Sequence, residues 1–384
     1  MNRRNLPLAI FFATAVWITG GLPAMGQQTA LKETGWSELP SIPDPLGVAG
    51  PFVGVSNERL IVAGGANFAE GKRPWAGGVK TWRDAIYVLD DAEGAWRTCM
   101  TTLPRPLGYG VSISTPEGLW CIGGSDANRH SAEVFLLQTD DQDVRVIAQP
   151  SLPMPLANSA GALVGSKIVV AGGIESPTST QAVNKVFVLD TAAPPAARQW
   201  KTLAGRSGAG RMLATAGAQG NDFYLFGGVS LQADAKGAPE RIKPFLKEAW
   251  RLRFEEDGGT TWKRLADLPA PRVACPTPAP LVTDSRLLVI SGDDGSLSAA
   301  EEDRHPGFET TVFSYNIAKD EWRPEQPIVR WNGSDPATKP WDCVWPPVTT
   351  GSAFWQGLIV IPSGEIRPGV RTRRVLTAGS EILD

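Results

Sequence analysis

The sequence has little histidine and little cysteine. Only His130 and His305 carry an imidazole among 384 residues. The four cysteines are widely spaced and form no C-x-x-C motif: Cys99, Cys121, Cys275 and Cys343. Because zinc and copper sites in proteins are built mainly from histidine and cysteine ligands, the sequence lacks an adequate ligand set for either metal. We therefore expect no metal and no cofactor.

The sequence also lacks blocks of one charge and long helix-forming runs. No run of Lys or Arg is longer than two, and the net charge is -3. This pattern excludes the electrostatic footprint of a protein that binds nucleic acid or an anionic membrane surface. The expected partner is a small molecule or another protein, and the oligomeric state stays open.

The first 26 residues differ from the rest. Arg3 and Arg4 precede the apolar run "LPLAIFFATAVWI", which is followed by small residues up to Gly26. About 13 apolar residues are too few to span a hydrocarbon layer of roughly 30 Å, so this segment is typical of a cleaved signal peptide. We expect residues 27–384 to form one periplasmic or secreted domain. The export route, Sec or twin-arginine, stays open.

In an oxidising compartment a disulfide between Cys99 and Cys121 and buried free thiols are both consistent with the spacing.

A repeat is present instead of helices. Glycine (41 residues) and proline (32 residues) are abundant, as expected for short strands joined by turns. Six apolar segments each end in a Gly-Gly or Ser-Gly pair: Gly64 and Gly65, Gly123 and Gly124, Gly172 and Gly173, Gly227 and Gly228, Ser291 and Gly292, and Ser363 and Gly364. Glycine pairs inside strands indicate close approach of another backbone.

Each repeat contains four strands. An aromatic strand follows most pairs, then a strand led by tryptophan, and then a strand of small residues. The pattern resembles the kelch repeat and predicts an all-β, six-bladed kelch-type β-propeller. The segment "GWSELPSIP" has the character of a fourth strand without a repeat before it, so we expect Trp36 and its neighbours to complete the last blade and close the ring.

The repeat gives the segment "PSGEIRPGVRTRR" a location. The glycine pair ends the second strand, so the residue that follows it stands near the central channel, on the face of the second-to-third strand turns. The six aligned residues are Ala66, Ser125, Ile174, Val229, Asp293 and Glu365. Two of them are acidic, and only Glu365 has an arginine, Arg371, returning across a short hairpin. Three long insertions share this face and indicate a binding role.

Basic residues are expected on the same face. The fourth-to-first strand turns carry Arg105, Arg211 and Arg272. Because guanidinium groups bind carboxylates in a bidentate manner, these residues favour an acidic ligand. They are candidates for substrate binding, together with Asn67.

Three segments resemble one family. "GPFVGVSNERLIVAGGANF", "WRDAIYVL" and "SGEIRPGVRT" are similar to the N-acetylneuraminate epimerases, which are exported sialic acid mutarotases built on six kelch blades. The resemblance implies that Glu365 is the catalytic glutamate and Arg371 the essential arginine of a sugar mutarotase, in a cyclically permuted blade order. A closed ring tolerates such a rotation because its termini lie in one blade.

The implied reaction needs proton transfer. The anomeric hydroxyl of a 2-keto acid sugar is deprotonated, the ring oxygen is protonated, and the open keto form recloses on its other face. Positioned acid/base catalysis contributes about 10² to 10⁴ in rate. The hypothesis assigns this role to Glu365, and binding of the substrate carboxylate to Arg371.

Two other functions are compatible with the pattern. "DGGTTW", from Asp257 to Trp262, approximates one sialidase Asp-box, although a plain hairpin turn also accounts for it. A kelch propeller that binds a glycan or a protein without catalysis is the second alternative, because the fold alone does not decide function.

Overall fold

The structure is a computed structural model that describes residues 35–297, 302, 304–328 and 346–379. Within these residues the chain forms six four-stranded antiparallel sheets, and the predicted six-bladed β-propeller is confirmed. Blade core strands are rich in Val, Ile, Leu and Phe and are buried on both faces, because each sheet packs between two neighbouring blades. The predicted signal peptide lies outside the described residues.

The strands of each blade are named a to d in their hydrogen-bonded order. Their bounds are, for blade one, Phe52–Ser56, Arg59–Ala63, Ile86–Leu89 and Arg97–Thr98; for blade two, Val111–Thr115, Gly118–Ile122, Val134–Thr139 and Val144–Gln149; for blade three, Ala160–Val164, Lys167–Ala171, Lys185–Asp190 and Lys201–Ala204; for blade four, Thr215–Gln219, Asp222–Phe226, Ala249–Phe254 and Thr260–Arg264; for blade five, Leu281–Thr283, Arg286–Ile290, Val312–Asn316 and Glu321–Pro324; for blade six, Ala353–Trp355, Leu358–Pro362, Val375–Gly379 and Trp36–Leu39.

The two ends of the described chain meet in blade six. Strand d, Trp36–Leu39, pairs antiparallel with strand c, Val375–Gly379, with Trp36 opposite Ala378 and Leu39 opposite Val375. The Trp36 side chain is buried among apolar residues of blades five and six. The predicted closure by the N-terminal strand is therefore confirmed, and it pairs an edge that would otherwise be open.

The glycine pairs stand where neighbouring blades touch. Gly172 has φ +69°, and a Cβ there would lie 2.4 Å from the carbonyl oxygen of Arg211 in the next blade's entry. Gly173 donates its N–H to that same oxygen at 2.9 Å. In blade six Ser363 adopts φ +59° and compensates with its hydroxyl, which donates to Thr372 O at 2.6 Å and accepts from Val48 N at 2.8 Å. The predicted close approach is confirmed.

A collar of six residues surrounds the central channel, one residue at the entry of each blade. Each residue has a positive φ and donates its N–H to the carbonyl of the collar residue in the preceding blade, at 2.6 to 2.9 Å. The collar residues are Gly50, Tyr109, Asn158, Leu213, Ala274 and Thr349. The cavity that the collar and the strand a residues enclose has a volume of about 50 Å³, which is room for one or two water molecules. The cavity is therefore too small for a ligand larger than a few atoms.

In the part of the chain that the structure describes, three two-stranded hairpins extend from the turns between strands b and c. They pair Ala66–Phe68 with Lys80–Trp82 in blade one, Leu231–Ala233 with Pro239–Arg241 in blade four, and Glu365–Arg367 with Val370–Arg371 in blade six. Single 3₁₀ turns occupy Ala69–Gly71, Pro74–Ala76 and Pro195–Ala197. Within the described ranges, no helix is long and apolar enough to cross a membrane.

Three cysteines are buried free thiols in the described chain: Cys99, Cys121 and Cys275. Burial raises the pKa of the Cys99 and Cys275 thiols to about 11. Cys343 lies outside the described residues. Among the residues that the structure places, no group of three or more His, Cys, Asp or Glu side chains could hold a metal ion.

Candidate active site at the hairpin of blade six

Glu365 and Arg371 face each other across the blade-six hairpin. They are register partners in its ladder, and Glu365 Oε1 lies 3.1 Å from Arg371 Nη1. Backbone hydrogen bonds of 2.8 Å in both directions tie Glu365 to Val348 at the entry of the same blade. The turn is thus anchored on two sides, and its position next to the channel follows from Gly364, whose φ of +102° directs the chain out of strand b.

Arg371 is fixed by blade one. Its side chain is 5% exposed, its Cζ lies 4.6 Å from the centroid of the Phe68 ring, and its Nε donates to Ala66 O at 3.4 Å. Nη1 is buried and has no hydrogen-bond partner in the described structure, because its close contact with Glu365 lacks hydrogen-bond geometry. Arg371 therefore holds a donor that is not satisfied by the protein.

Two further donors orient Glu365 beside Arg371. Its Oε2 accepts the Thr349 hydroxyl at 3.1 Å, and its Oε1 accepts the Gly369 N–H at 3.4 Å. The side chain is 19% exposed. An ionised carboxylate has about four acceptor positions, so these contacts orient Glu365 and leave it able to accept a proton from a ligand.

The carboxylate opens into a cleft of about 450 Å³ above the collar, hereafter the central cleft. This volume is within the usual range of about 300 to 1,000 Å³ for small-molecule sites. Its polar walls come from the insertions of blades four and five and from blade six: Arg241, Lys243, Asp293, His305, Thr349 and Glu365. The insertions were expected to serve binding on this face, and the structure brings parts of two of them to Glu365.

His305 adds a second titratable group to the central cleft. Its Nδ1 accepts the Gly307 N–H at 3.1 Å, so the neutral imidazole carries its proton on Nε2. The sequence signal for Arg241, Lys243 and His305 was their place in long insertions. Residue type alone did not single them out, because charged loop residues are common on any surface.

Arg211 and Arg272 are buried away from the central cleft. Arg211 Nη1 donates to Gly227 O at 2.7 Å, and its Nη2 contacts Glu248 Oε2 at 2.5 Å. Burial lowers the Arg211 pKa to about 10. Arg272 donates to Pro271 O at 2.8 Å, and its Cζ lies 4.9 Å from the centroid of the Phe313 ring. Their roles in substrate binding stay predictions.

Arg105 and Asn67 are also engaged elsewhere. Arg105 lines a separate cleft of about 820 Å³ formed by blades two and three and contacts Glu133 at 2.5 Å. The Asn67 amide donates to Gly47 O at 3.0 Å and accepts from Arg83 Nη2 at 2.9 Å. Neither residue lines the central cleft, and both stay predictions as substrate contacts.

The Asp-box-like segment forms the turn between strands c and d of blade four. Glu255 donates its N–H to Gly259 O at 2.9 Å, and Gly259 donates to Asp257 Oδ1 at 2.8 Å. This turn lies on the face opposite the central cleft, because c-to-d and b-to-c turns are at opposite ends of a blade. It therefore has the geometry of a plain hairpin turn and contributes nothing to the cleft around Glu365.

Comparisons with known sequences point to one family. A family model described as N-acetylneuraminate epimerase matches residues 21–146. N-acetylneuraminate epimerases from Brucella suis and Vibrio cholerae are each 35% identical to this chain over 127 residues, which cover 29% of this chain and 32% of the relative. The one from Salmonella enteritidis is 39% identical over 102 residues, 24% of this chain and 26% of the relative. The chain thus spans about a third of the length of these relatives, and the predicted resemblance to the family is confirmed over that part.

Comparison with solved structures extends the likeness in fold. The structure of YjhT superposes with a TM-score of 0.61, covering 87% of this chain and 95% of that one, at 14% sequence identity. Identity this low supports a shared propeller architecture only. The matched sequence segment contains strand d of blade six, blade one and blade two as far as the first residues of its strand d, and the Glu365 hairpin lies beyond it.

Proposed function

We propose that this protein is a sugar mutarotase that interconverts the anomers of N-acetylneuraminate, with Glu365 as the acid/base. The observation that carries this proposal is the Glu365 carboxylate, which is oriented by Thr349 and Arg371 at the wall of a cleft of sugar size. The sequence similarity of residues 21–146 to N-acetylneuraminate epimerases supports the choice of substrate.

In the proposed mechanism, the Glu365 carboxylate removes the proton from the anomeric hydroxyl. The bond between the anomeric carbon and the ring oxygen breaks, its electron pair goes to the ring oxygen, and water or a neighbouring polar group protonates that oxygen. Rotation in the open keto form turns the other carbonyl face toward the ring hydroxyl. The reverse proton transfers then close the ring, with Glu365 returning its proton to the new anomeric oxygen.

Arg371 fixes Glu365 during these transfers. Its guanidinium is packed on Phe68 and bonded to Ala66 O, so the ion pair holds the carboxylate at one position. The buried Nη1 lies 3.1 Å from Glu365 Oε1, so the positive charge stays beside the carboxylate through both proton transfers.

The test is the rate of anomer exchange. α-N-acetylneuraminate, freshly released by a sialidase that is then removed, is followed by proton NMR as it converts to the β anomer, with and without this protein. We expect conversion well above the spontaneous rate. Equal rates would overturn the proposal and leave a binding role for the propeller. Release of sugar from a sialyl glycoside by this protein would instead favour a hydrolase.

We further propose that the protein acts outside the cytoplasm. The basis is the sequence pattern of residues 1–26, with paired arginines, a short apolar run and small residues before Gln27. The intact mass of the protein recovered from its native compartment should correspond to a chain that begins at Gln27. A mass that retains these residues would contradict cleavage there.

A further inference from the structure

The hairpin inserted in blade four brings two cationic side chains to the central cleft. Its strands pair Leu231–Ala233 with Pro239–Arg241, and Arg241 lies opposite Leu231 at the base of the ladder. The next residue, Ile242, donates its N–H to Ser230 O at 2.9 Å and fixes this base to the blade. Arg241 and Lys243 both line the cleft into which Glu365 opens. Their placement is therefore set by the hairpin ladder and does not depend on the loop tip.

The two cations differ in availability. Lys243 Nζ donates to Gly295 O at 2.7 Å and lies 5.5 Å from the Phe245 ring centroid, so its charge serves the contact between the insertions of blades four and five. The Arg241 side chain is exposed, and its guanidinium makes no hydrogen bond or ion pair with any described residue. Its planar fork can bind a carboxylate with two parallel hydrogen bonds.

The charges around the cleft favour such a cation. Asp293 and Glu365 contribute two carboxylates to its walls. An acidic sugar placed beside Glu365 would be repelled by both of them unless a cation neutralised its own carboxylate. Arg371 is 5% exposed, packs toward blade one and is not among the described residues that line the cleft. Among the described residues that line the central cleft, Arg241 is the one arginine, and it is exposed.

We propose that Arg241 binds the carboxylate of the substrate and thereby selects acidic sugars over neutral ones. This inference rests on the proposed function, because it takes the central cleft as the substrate site. It assigns to Arg241 the anion contact that the sequence hypothesis gave to Arg371, and it leaves Arg371 the task of positioning Glu365. Arg241 is a specificity-determining residue in this scheme, and Lys243 a structural one.

Binding of an unreactive ligand tests this assignment without catalysis. The ligands are 2-deoxy-N-acetylneuraminate, which has no anomeric hydroxyl, and its methyl ester, which has no negative charge. Calorimetric titration of the full-length protein should show that Arg241→Met weakens binding of the acid at least tenfold and leaves binding of the ester unchanged. The matched control is Arg129→Met, since Arg129 is an exposed arginine on the cleft of blades two and three, and it should change neither affinity.

Catalysis supplies a second readout. Arg241→Met should raise KM for N-acetylneuraminate and leave kcat nearly unchanged, because a carboxylate contact acts equally in the ground state and the transition state. As a control for folding, the thermal unfolding midpoint of Arg241→Met should equal that of the wild-type protein.

Several results would overturn the inference. They are an unchanged affinity of Arg241→Met for the acid, an equal loss for acid and ester, or a loss specific to the acid in Arg371→Met and absent from Arg241→Met. If the wild-type protein binds neither ligand, the inference is wrong. If it binds both but does not accelerate anomer exchange, the proposed function is wrong while the anion contact stands on the titration alone.

Discussion

Two arginine and glutamate pairs in this propeller have the same composition and different surroundings. In blade four, Glu248 accepts from Arg211 at 2.5 Å and from the Trp250 indole at 3.1 Å, with Arg264 at 3.4 Å. In blade six, Glu365 has one arginine at 3.1 Å, the Thr349 hydroxyl at 3.1 Å and the Gly369 N–H at 3.4 Å, and it opens into the central cleft. The first carboxylate lies beside two arginines and an indole N–H, and the second lies beside one arginine and two neutral donors.

The difference separates a structural ion pair from a candidate catalytic one. Burial of the Glu248 carboxyl opposes its ionisation, but the Trp250 indole and Arg211 outweigh burial, and the pKa of Glu248 is lowered. A carboxylate held so firmly as an anion is a poor proton carrier at neutral pH. Glu365 has fewer cations beside it and faces the central cleft, so a ligand can reach its carboxylate. Each pair can be broken separately.

The largest effect is expected at Glu365. Glu365→Gln keeps the shape and the hydrogen bonds of the side chain but cannot take up a proton. Polarimetry of the α-to-β conversion should show a rate about 10² to 10⁴ lower than that of the wild-type protein, which is the usual contribution of a positioned acid/base group. The unfolding midpoint should not fall. A wild-type rate in the folded variant would remove Glu365 from the mechanism.

The opposite result is expected in blade four. Glu248→Gln leaves the buried Arg211 without its counter-charge, and urea unfolding should show a loss of about 3 kcal/mol in stability. The rate of anomer exchange per folded molecule should stay at the wild-type value, because neither residue lines the central cleft. A large loss of rate without a loss of stability would contradict the separation of the two pairs.

The turn between strands b and c of blade two extends the comparison to the pH dependence of stability. In blade two, His130 pairs with Ser125 at the positions that Arg371 and Glu365 occupy in blade six. Burial lowers the pKa of His130 to about 4, whereas an unfolded histidine titrates near 6.5. The unfolded chain therefore binds this proton first as pH falls, so stability is lost between about pH 6.5 and pH 4.

His130→Gln should remove that part of the acid sensitivity. Between pH 7 and pH 4.5 the variant should lose about 2 kcal/mol less unfolding free energy than the wild-type protein, as measured by urea titration at each pH. Parallel losses in the two proteins would show that His130 titrates normally in the folded state.

The smallest effect is expected at Thr349, the collar residue whose hydroxyl donates to Glu365 Oε2. Thr349→Val keeps the branched shape and removes one hydrogen bond, worth about 0.5 to 1.5 kcal/mol. The exchange rate should fall about threefold to tenfold, with a smaller change for Thr350→Val, whose hydroxyl bonds to Pro362 O within the blade. Equal effects of the two substitutions would indicate a general loss of packing.

Much of this architecture could be predicted from the sequence because propeller blades repeat. The paired glycines mark strand b, Trp36 marks the missing fourth strand, and the alignment of the repeats placed Glu365 and Arg371 on the channel face. Each of these signals reflects a steric or pairing need that recurs in every blade. The same regularity explains why the fold matches a solved propeller at 14% sequence identity.

The collar and the walls of the central cleft could not be predicted in this way. Tyr109, Leu213 and Thr349 adopt positive φ values that favour glycine, because closure of the ring imposes this geometry on non-glycine residues. Arg211 belongs to the set of arginines in the turns between strands d and a, which suggested ligand binding. Its guanidinium instead contacts Gly227 O and Glu248 inside the protein. Side-chain direction at a turn depends on tertiary partners that no local pattern shows.

Chemical rescue of Glu365→Ala tests the central claim most directly. Anomer exchange is measured by NMR for this variant with and without added formate, against protein-free formate, because formate itself catalyses the reaction in solution. If the Glu365 carboxylate carries the proton, the variant alone should exchange anomers at the buffer rate, and formate should restore activity above the protein-free reference. Exchange at the wild-type rate by Glu365→Ala without formate would contradict the account.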